Sequence, residues 1–330
     1  MEVTSMQPNQ TLTDYRYSMS KHPLVSVLLP VYNGERYVAQ AIESILDQTY
    51  RDFEFIIIDD GSTDRSYQIL QRYAQQDDRI HLIQQRNQGL IKTLNKMLAI
   101  AQGELLARMD ADDLAHPTRL ARQVEFLQRE PEIVCVGGAF ELIDPQGRTV
   151  MVVQMPQHND EIQEKILIGH TIILHPSAMI RRTALQAIGG YDESMVTIED
   201  LDMLLRLGEI GQLANLNEVV LKYRFHTNSV STKNVAFQNE MAQEACRRAW
   251  QRRGLEGHYE PPDPWFRPGS DPVSQQRFLH RYGWWAFCNG FRKTAAACGL
   301  KAIVLQPTVL ENWKLFGCAL IKPIPKSTVV

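Results

Sequence analysis

The sequence predicts an α/β protein, with a mainly parallel sheet flanked by helices and a C-terminal helical extension. Three observations predict it. Short apolar runs rich in Val, Ile and Leu alternate with segments whose apolar residues recur at helical spacing. Alternating strands and helices make a parallel sheet, because parallel neighbours need a crossover between them. Two of the runs stop in acidic clusters, Asp59-Asp60 and Asp110-Ala111-Asp112-Asp113, and ligands of such sheets sit outside the carboxyl ends of the strands.

The elements follow in order. Residues 1–22 are polar and read as a loose tail. Leu24 to Tyr32 is a buried strand with Pro30 at its end, and Asn33-Gly34 turns the chain into a helix over Tyr37 to Leu46. Phe53 to Ile58 is a second strand, too short for a helix, and Ser66 to Tyr73 is helical. Ile80 to Ile83 gives a third strand, then a helix from about Leu90 to Ala101 closes on Gly103 as its C-cap. The strand that follows, within the stretch beginning at Leu105, leads into the second acidic cluster. A strand over Ile133 to Val136 ends at Gly137-Gly138, and His175 to Arg182 reads as a strand with a histidine at its start. Gly189-Gly190-Tyr191-Asp192-Glu193 is a turn, and Ile198-Glu199-Asp200 opens a helix over Leu201 to Leu207.

Beyond about residue 233 the pattern is helical: Gln238 to Arg252, then a Pro- and Gly-rich loop over Gly254 to Ser270. A helix lined by Phe278, Tyr282, Trp285 and Phe291 follows. The last begins in a capping box at Thr308-Val309-Leu310-Glu311, with Val309, Trp313, Phe316 and Leu320 on one face. The expected division is a tail over 1–22, a catalytic domain over 23–232 and a helical extension over 233–330.

Composition narrows the function classes. The net charge of -3 gives no reason to expect nucleic acid as a partner. Five scattered cysteines without a C-x-x-C pair suggest neither a zinc site nor a disulfide framework. There is no signal-peptide core and no apolar run long enough to span a bilayer, so a cytoplasmic protein is expected. Residues 271–330 carry a net charge of +6, leaving -9 for the rest of the chain. That segment is either a cap on the catalytic domain or a peripheral contact with the inner face of an anionic membrane.

The acidic clusters carry the chemistry. Three carboxylates within four positions repel one another, so they must be solvated or given a cation. Asp110 and Asp112, two apart on a strand end, point to the same side and suit a hard divalent ion that keeps water and phosphate oxygens as its other ligands. The competing reading is a polar turn whose aspartate caps the following helix. No G-x-G-x-x-G or G-x-x-x-x-G-K-[ST] cradle is present, so a phosphorylated ligand would be met through a metal on the Asp cluster. Asp60, at a strand end, is placed to accept from the imide N–H of a uracil-type base.

Val25-Ser26-Val27-Leu28-Leu29-Pro30-Val31-Tyr32-Asn33-Gly34, Ile57-Ile58-Asp59-Asp60-Gly61-Ser62-Thr63-Asp64, Asn87-Gln88-Gly89-Leu90 and Met109-Asp110-Ala111-Asp112-Asp113 resemble, in order and spacing, a family 2 glycosyltransferase with the GT-A nucleotide-diphospho-sugar transferase fold. The resemblance covers roughly residues 23–230. It implies an inverting transfer of a sugar from a nucleotide-diphosphate donor, a UDP-sugar first, to a hydroxyl of a glycan or lipid-linked acceptor in cell-surface polysaccharide synthesis. It implies a divalent metal, Mg2+ or Mn2+, on Asp112, with Asp110 and His226 as further candidate ligands. Pro30, Tyr32, Asn33, Asp60, Lys92 and Asp110 fall on the donor side, and Glu199 and His175 on the acceptor side. Asp200 is implied as catalytic base, although Glu-Asp at a helix start is also what a cap would use. Lys92 stands where many relatives carry an arginine, and Arg224 is a candidate partner for phosphate oxygens. Two other functions share parts of this logic: a sugar-phosphate nucleotidyltransferase, which would need a Gly-rich basic loop after the first strand, and a non-catalytic nucleotide-sugar or glycan-binding module.

Overall fold

The computed structural model describes residues 22–226, 235–261 and 271–324. The expected tail, the end of the Tyr223–Ser231 segment and most of the Pro- and Gly-rich loop lie outside the described residues.

Four strands build the parallel half of the sheet: β1 (Val25–Val31), β2 (Phe53–Asp59), β3 (Ile80–Gln84) and β4 (Leu105–Arg108). They stand in the order β3-β2-β1-β4, joined by α1 (Val38–Leu46), α2 (Ser66–Ala74) and α3 (Leu90–Ile100). Side chains of β1 alternate faces: Val25, Val27, Leu29 and Val31 pack with α1 and α2, and Leu28 packs with α3. Both faces are covered, so these strands read as unbroken apolar runs. Pro30 is tolerated in a central strand because the pairing of β1 with β4 ends at Leu28, beyond which no N–H is needed on that side.

The other half is mixed. β5 (Leu114–Ala115), α4 (Arg119–Arg129), β6 (Ile133–Ile143), β7 (Thr149–Val153), α5 (Asn159–Leu167), β8 (Met179–Arg181), α6 (Arg182–Ala187), α7 (Glu199–Leu207) and β9 (Gln212–Arg224) follow in the chain. The sheet continues β4-β8-β6-β9-β5, with β7 paired to β6. β8 runs antiparallel to β4 and β6, whereas β6 and β9 are parallel. The expected strand over Ile133–Val136 therefore extends through Gly137-Gly138 to Ile143. A Cβ on Gly137 would lie 2.3 Å from Asn215 Oδ1, so the glycine makes room for a β9 side chain rather than ending the strand. His175–Ser177 is a 3-10 turn, not the start of a strand.

Three other sequence expectations are corrected. Ala101 leaves α3 in an extended conformation. Gly103 is not its cap: a Cβ there would sit 2.5 Å from Ser26 N, so it lets the loop lie on β1. The capping box at Thr308 does not form, since α11 (Leu310–Ile321) begins after Val309 with no side-chain cap. Nor do Val309, Trp313, Phe316 and Leu320 face inward; Asn312, Leu315, Cys318 and Ala319 do.

The C-terminal helices pack in two places. α8 (Val235–Arg253) joins the core of α3, α5 and α7 through Ala242, Ala245, Cys246 and Ala249. α9 (Pro272–Cys288), α10 (Arg292–Leu305) and α11 form a separate core with Leu142, Val150 and Phe225. Among the described residues no helix is long and apolar enough to cross a membrane.

Candidate active site

The second acidic cluster is gathered by a turn rather than by strand alternation. β4 ends at Arg108, and Asp110 to Asp113 bend back so that Asp113 N donates to Asp110 O at 3.4 Å before β5 begins. Ligand oxygens of Asp110, Asp112 and Asp113 then lie within 4.8 Å of one another. Burial and the neighbouring carboxylates push Asp113 well above the usual range, and burial also raises Asp110.

Protein groups hold this turn from three directions. Arg119 is buried beneath it, donating to Arg108 O at 2.8 Å and Ala178 O at 3.2 Å. Arg224, at the end of β9, gives its backbone N–H to Asp113 Oδ1 at 2.7 Å and its Nε to Asp112 O at 2.7 Å. Its remaining nitrogens go to Gln40 Oε1 and the carbonyls of Asp144 and Pro145, and its guanidinium lies 4.5 Å over Tyr37. Arg224 therefore builds the turn and has no free face for a phosphate, contrary to the sequence expectation. Asp113 does not cap a helix either. His226 Nε2 sits 2.9 Å from Asp112 Oδ2, which places this histidine beside the cluster.

The residues fit a hard divalent cation. Asp113 Oδ2 is buried without a hydrogen-bond partner among the described residues, leaving an unused acceptor beside two other carboxylates. Asp112 and Asp110 line a cavity of about 650 Å3, large enough for a small cofactor-sized ligand.

Into the same cavity, α7 presents Glu199 and Asp200 in its first turn. Asp200 does not cap α7, whose N-cap is Ile198 with no side-chain bond; its Oδ1 accepts from the adjacent Leu201 N at 2.8 Å. Burial raises the Asp200 carboxyl, against the pull of that N–H and of Arg108. Burial and the Asp200 charge push Glu199 up to about 7. The approach to this pair is strained. Thr197, a β-branched residue in the cavity wall, has φ of +74°, and its buried hydroxyl has no partner among the described residues.

Arg108 joins the two carboxylate groups. Its side chain is 5% exposed, pairs with Asp110 and lines the cavity. Burial opposes its charge, but Asp110, Tyr191 and Glu199 outweigh that and keep it protonated. Arg108 also acts on His175, whose ring nitrogen lies 3.0 Å from the Tyr191 hydroxyl; burial, with Arg108, drives this histidine well below its usual value. His175 is therefore a neutral member of the cavity wall.

Among the sequence-predicted residues, Lys92, Asp110, Asp112, His175, Glu199 and Asp200 meet in this one cavity. Lys92 is half exposed, 3.9 Å from Glu193. Pro30, Tyr32, Asn33 and Asp60 stand at the carboxyl ends of β1 and β2 but not in the cavity wall. Asn33 accepts from Thr63 N at 2.8 Å and ties the two loops together. Asp60 differs most from expectation. It is buried, and its oxygens accept from Gln85 Nε2, Gln88 N and Gly89 N at 2.8–2.9 Å. In this structure it holds the Gln88-Gly89 turn instead of presenting a free carboxylate to a base. Gly89 opens α3 at φ +88°, a conformation in which glycine meets no Cβ penalty.

Sequence reasoning missed Arg108, Arg119 and Thr197. Arg108 carried a usable signal, a cation two residues before Asp110 and hence on its side of the chain. The other two carried none, since their roles depend on tertiary packing.

The glycosyl transferase family 2 model matches residues 26–189. The putative glycosyltransferase EpsE of Bacillus subtilis is 35% identical over 240 residues, covering 70% of this chain and 84% of that protein. Chondroitin synthase of Escherichia coli is 27% identical over 245 residues, 74% of this chain but 35% of the larger enzyme. Among solved structures, the mannosyltransferase PcManGT of Pyrobaculum calidifontis, in complex with GDP-Man and Mn2+, superposes with a TM-score of 0.52 at 19% identity. The match covers 92% of this chain and 82% of that one.

Proposed function

Since this chain belongs to glycosyl transferase family 2 and is a glycosyltransferase with the GT-A fold, we propose that its cavity moves a sugar, with inversion, from a nucleotide-diphosphate donor to an acceptor hydroxyl. The observation that carries the reading is one cavity lined by carboxylates from two different elements, Asp110-Asp112 after β4 and Glu199-Asp200 at the start of α7. An inverting displacement uses two such groups. The leaving diphosphate is negative and requires cationic partners, whereas the attacking hydroxyl requires a base on the opposite face of the sugar.

In this mechanism Asp200 takes the acceptor's proton as the oxygen attacks the anomeric carbon and the bond to the diphosphate oxygen breaks. Glu199 hydrogen-bonds the acceptor and keeps the pair's charge low. His175, neutral and fixed by Tyr191, lines the acceptor side. Lys92 and Arg108 supply positive charge to the donor side, and Asp60 acts on the nucleotide through the Gln88-Gly89 turn it holds. Asp112, with Asp110, Asp113 and His226 around it, would hold Mg2+ or Mn2+. A bound ion of this kind neutralises charge on a departing diphosphate.

Chondroitin synthase, by its name a polysaccharide synthase, and the solved complex of PcManGT with GDP-Man and Mn2+ support a nucleotide-sugar donor, a divalent metal and a growing glycan as acceptor. The test is donor binding by calorimetry with UDP, GDP and dTDP in Mn2+ and in EDTA, alongside nucleoside diphosphate release. One nucleotide should bind only with metal, and Asp112→Ala should abolish that binding. Asp200→Asn should bind donor normally yet lose turnover on the order of a thousandfold or more. Full turnover by Asp200→Asn would remove it as base, and tight binding indifferent to EDTA would remove the metal.

A further inference from the structure

Outside the cavity, the largest departure from an ordinary soluble surface is on α10 and α11. Val304, Leu310 and Ile321 are 75%, 80% and 83% exposed, and Leu300, Trp313 and Leu320 are each more than half exposed. These residues form one surface. Gly299 of α10 packs directly on the Phe316 backbone of α11, so the two helices lie side by side. Leu300 and Val304 follow that contact around α10, away from the side that meets α9. On α11, Trp313 and Leu320 are the next positions round from Phe316, also away from α9, with Leu310 and Ile321 beyond them. Both helices therefore bury one face, through Asn312, Leu315, Cys318, Ala319, Ala302 and Ile303, and still turn a second set of large apolar side chains outward.

The charge around this face is mainly positive. Lys293, Lys301, Lys314 and Lys322 are all exposed on the same two helices or just after them, and Glu311, 3.7 Å from Lys314, is the one acidic residue of that stretch. We propose that the outer face of α10 and α11 is a docking surface for an anionic lipid bilayer. An apolar strip fringed by lysines suits that partner: the side chains enter the headgroup–acyl boundary while the ammonium groups meet lipid phosphates. A second copy of the chain fits less well, because a twofold contact would set lysines against lysines.

Docking there would tether the candidate active site to the membrane through α9. Phe225, next to His226 and Arg224 of the acidic cluster, stacks on Phe278 and Tyr282 of α9 at 5.7 and 5.4 Å between ring centroids. α9 in turn packs on α10 and α11. If the transferase reading holds, a site so placed would take an acceptor carried on a lipid.

The test is flotation of the full chain with vesicles of phosphatidylcholine alone or mixed with phosphatidylglycerol. It needs neither donor nor turnover, so its failure is separate from failure of the transferase reading. The chain should float with the mixed vesicles and less in high salt. Trp313→Ser with Ile321→Ser, and separately Lys314→Glu with Lys322→Glu, should each weaken binding on the order of tenfold or more. All four positions are exposed, so both variants should melt like the parent; if the apolar pair does not fold, the lysine pair decides. Absence of binding to mixed vesicles would overturn the proposal, as would equal binding to neutral ones. So would a dimer in solution that the apolar variant dissolves.

Discussion

Replacing Arg108 with glutamine tests whether one cation serves both carboxylate groups. The substitution keeps much of the volume and removes the charge paired with Asp110. Breaking a buried ion pair by removing one partner typically costs about 3–5 kcal/mol. Here the loss has a ceiling, because Asp110 can escape by taking a proton. Protonating an ordinary carboxyl, near 3.8, at pH 7 costs about 4 kcal/mol. Burial already holds Asp110 above that value, so the expected loss is ~2–4 kcal/mol, or roughly 3–6 °C in melting temperature for a chain of this length. The catalytic readout is separate. Arg108 lowers both Glu199 and Asp200, so without it the pair stays protonated to higher pH. A base works only when deprotonated. Turnover in the parent therefore falls as pH drops through the range in which Asp200, raised by burial, takes up a proton, and in Arg108→Gln that fall should move to higher pH. Thermal melts and pH profiles of nucleoside diphosphate release measure the two effects. A variant that melts like the parent with an unshifted acid limb would refute the reasoning. A lower melting point with an unshifted limb would leave Arg108 a purely structural part.

Two further outcomes follow from the same geometry. Burial and mutual repulsion hold Asp110 and Asp113 above the usual carboxylate range, so protons compete with a cation there. Mn2+ should bind more tightly, with proton release, as pH rises toward neutrality, and calorimetry showing a pH-independent affinity would count against the cluster as the metal site. Thr197→Gly relieves a left-handed β-branched residue by about 1–2 kcal/mol and loses roughly 0.5–1 kcal/mol to unfolded-chain entropy. The variant should melt at or slightly above the parent while turnover drops, and a melting point several degrees lower would show that no strain is stored there.

How much of this was readable in the sequence depends on where the information resides. β1 to β4 were legible because a sheet covered on both faces needs strands apolar at every position, and Phe53-Glu54-Phe55-Ile56-Ile57-Ile58 is nearly that. β9 was not legible. It carries Asn215, Asn217 and Glu218 mid-strand, and the Asn215 Nδ2 donates to the carbonyls of Pro156 and Ile172, far away in the chain. The glycines of β6 likewise looked like a stop because their reason, the Asn215 side chain, lies on another strand. At the site, the carboxylates singled out from the sequence, Asp112 and the Glu199-Asp200 pair, line the same cavity. Arg224 was misassigned because a guanidinium suits phosphate and carbonyl oxygens equally well, and only the fold says which it meets. Asp60 was misread for a related reason: a carboxylate at a strand end can serve a ligand or a neighbouring turn, and here Gln88 and Gly89 claim it.

The acidic cluster also explains why the fold invests two long-range contacts in a four-residue turn. Three close carboxylates destabilise any structure that gathers them, and the available compensation comes from separate elements: Arg108 from β4, a backbone N–H and guanidinium of Arg224 from β9, and His226 just beyond. None of these reaches the buried Asp113 Oδ2, so the protein groups hold the turn in place without completing it. A cation would finish what they leave open. Because Phe225, between two of those contributors, is stacked into the core of α9, the geometry of the cluster depends on the helical cap as well as on the sheet. The C-terminal helices are thus part of what shapes the site: α9 holds Phe225 directly, and α10 and α11 pack on α9 behind it.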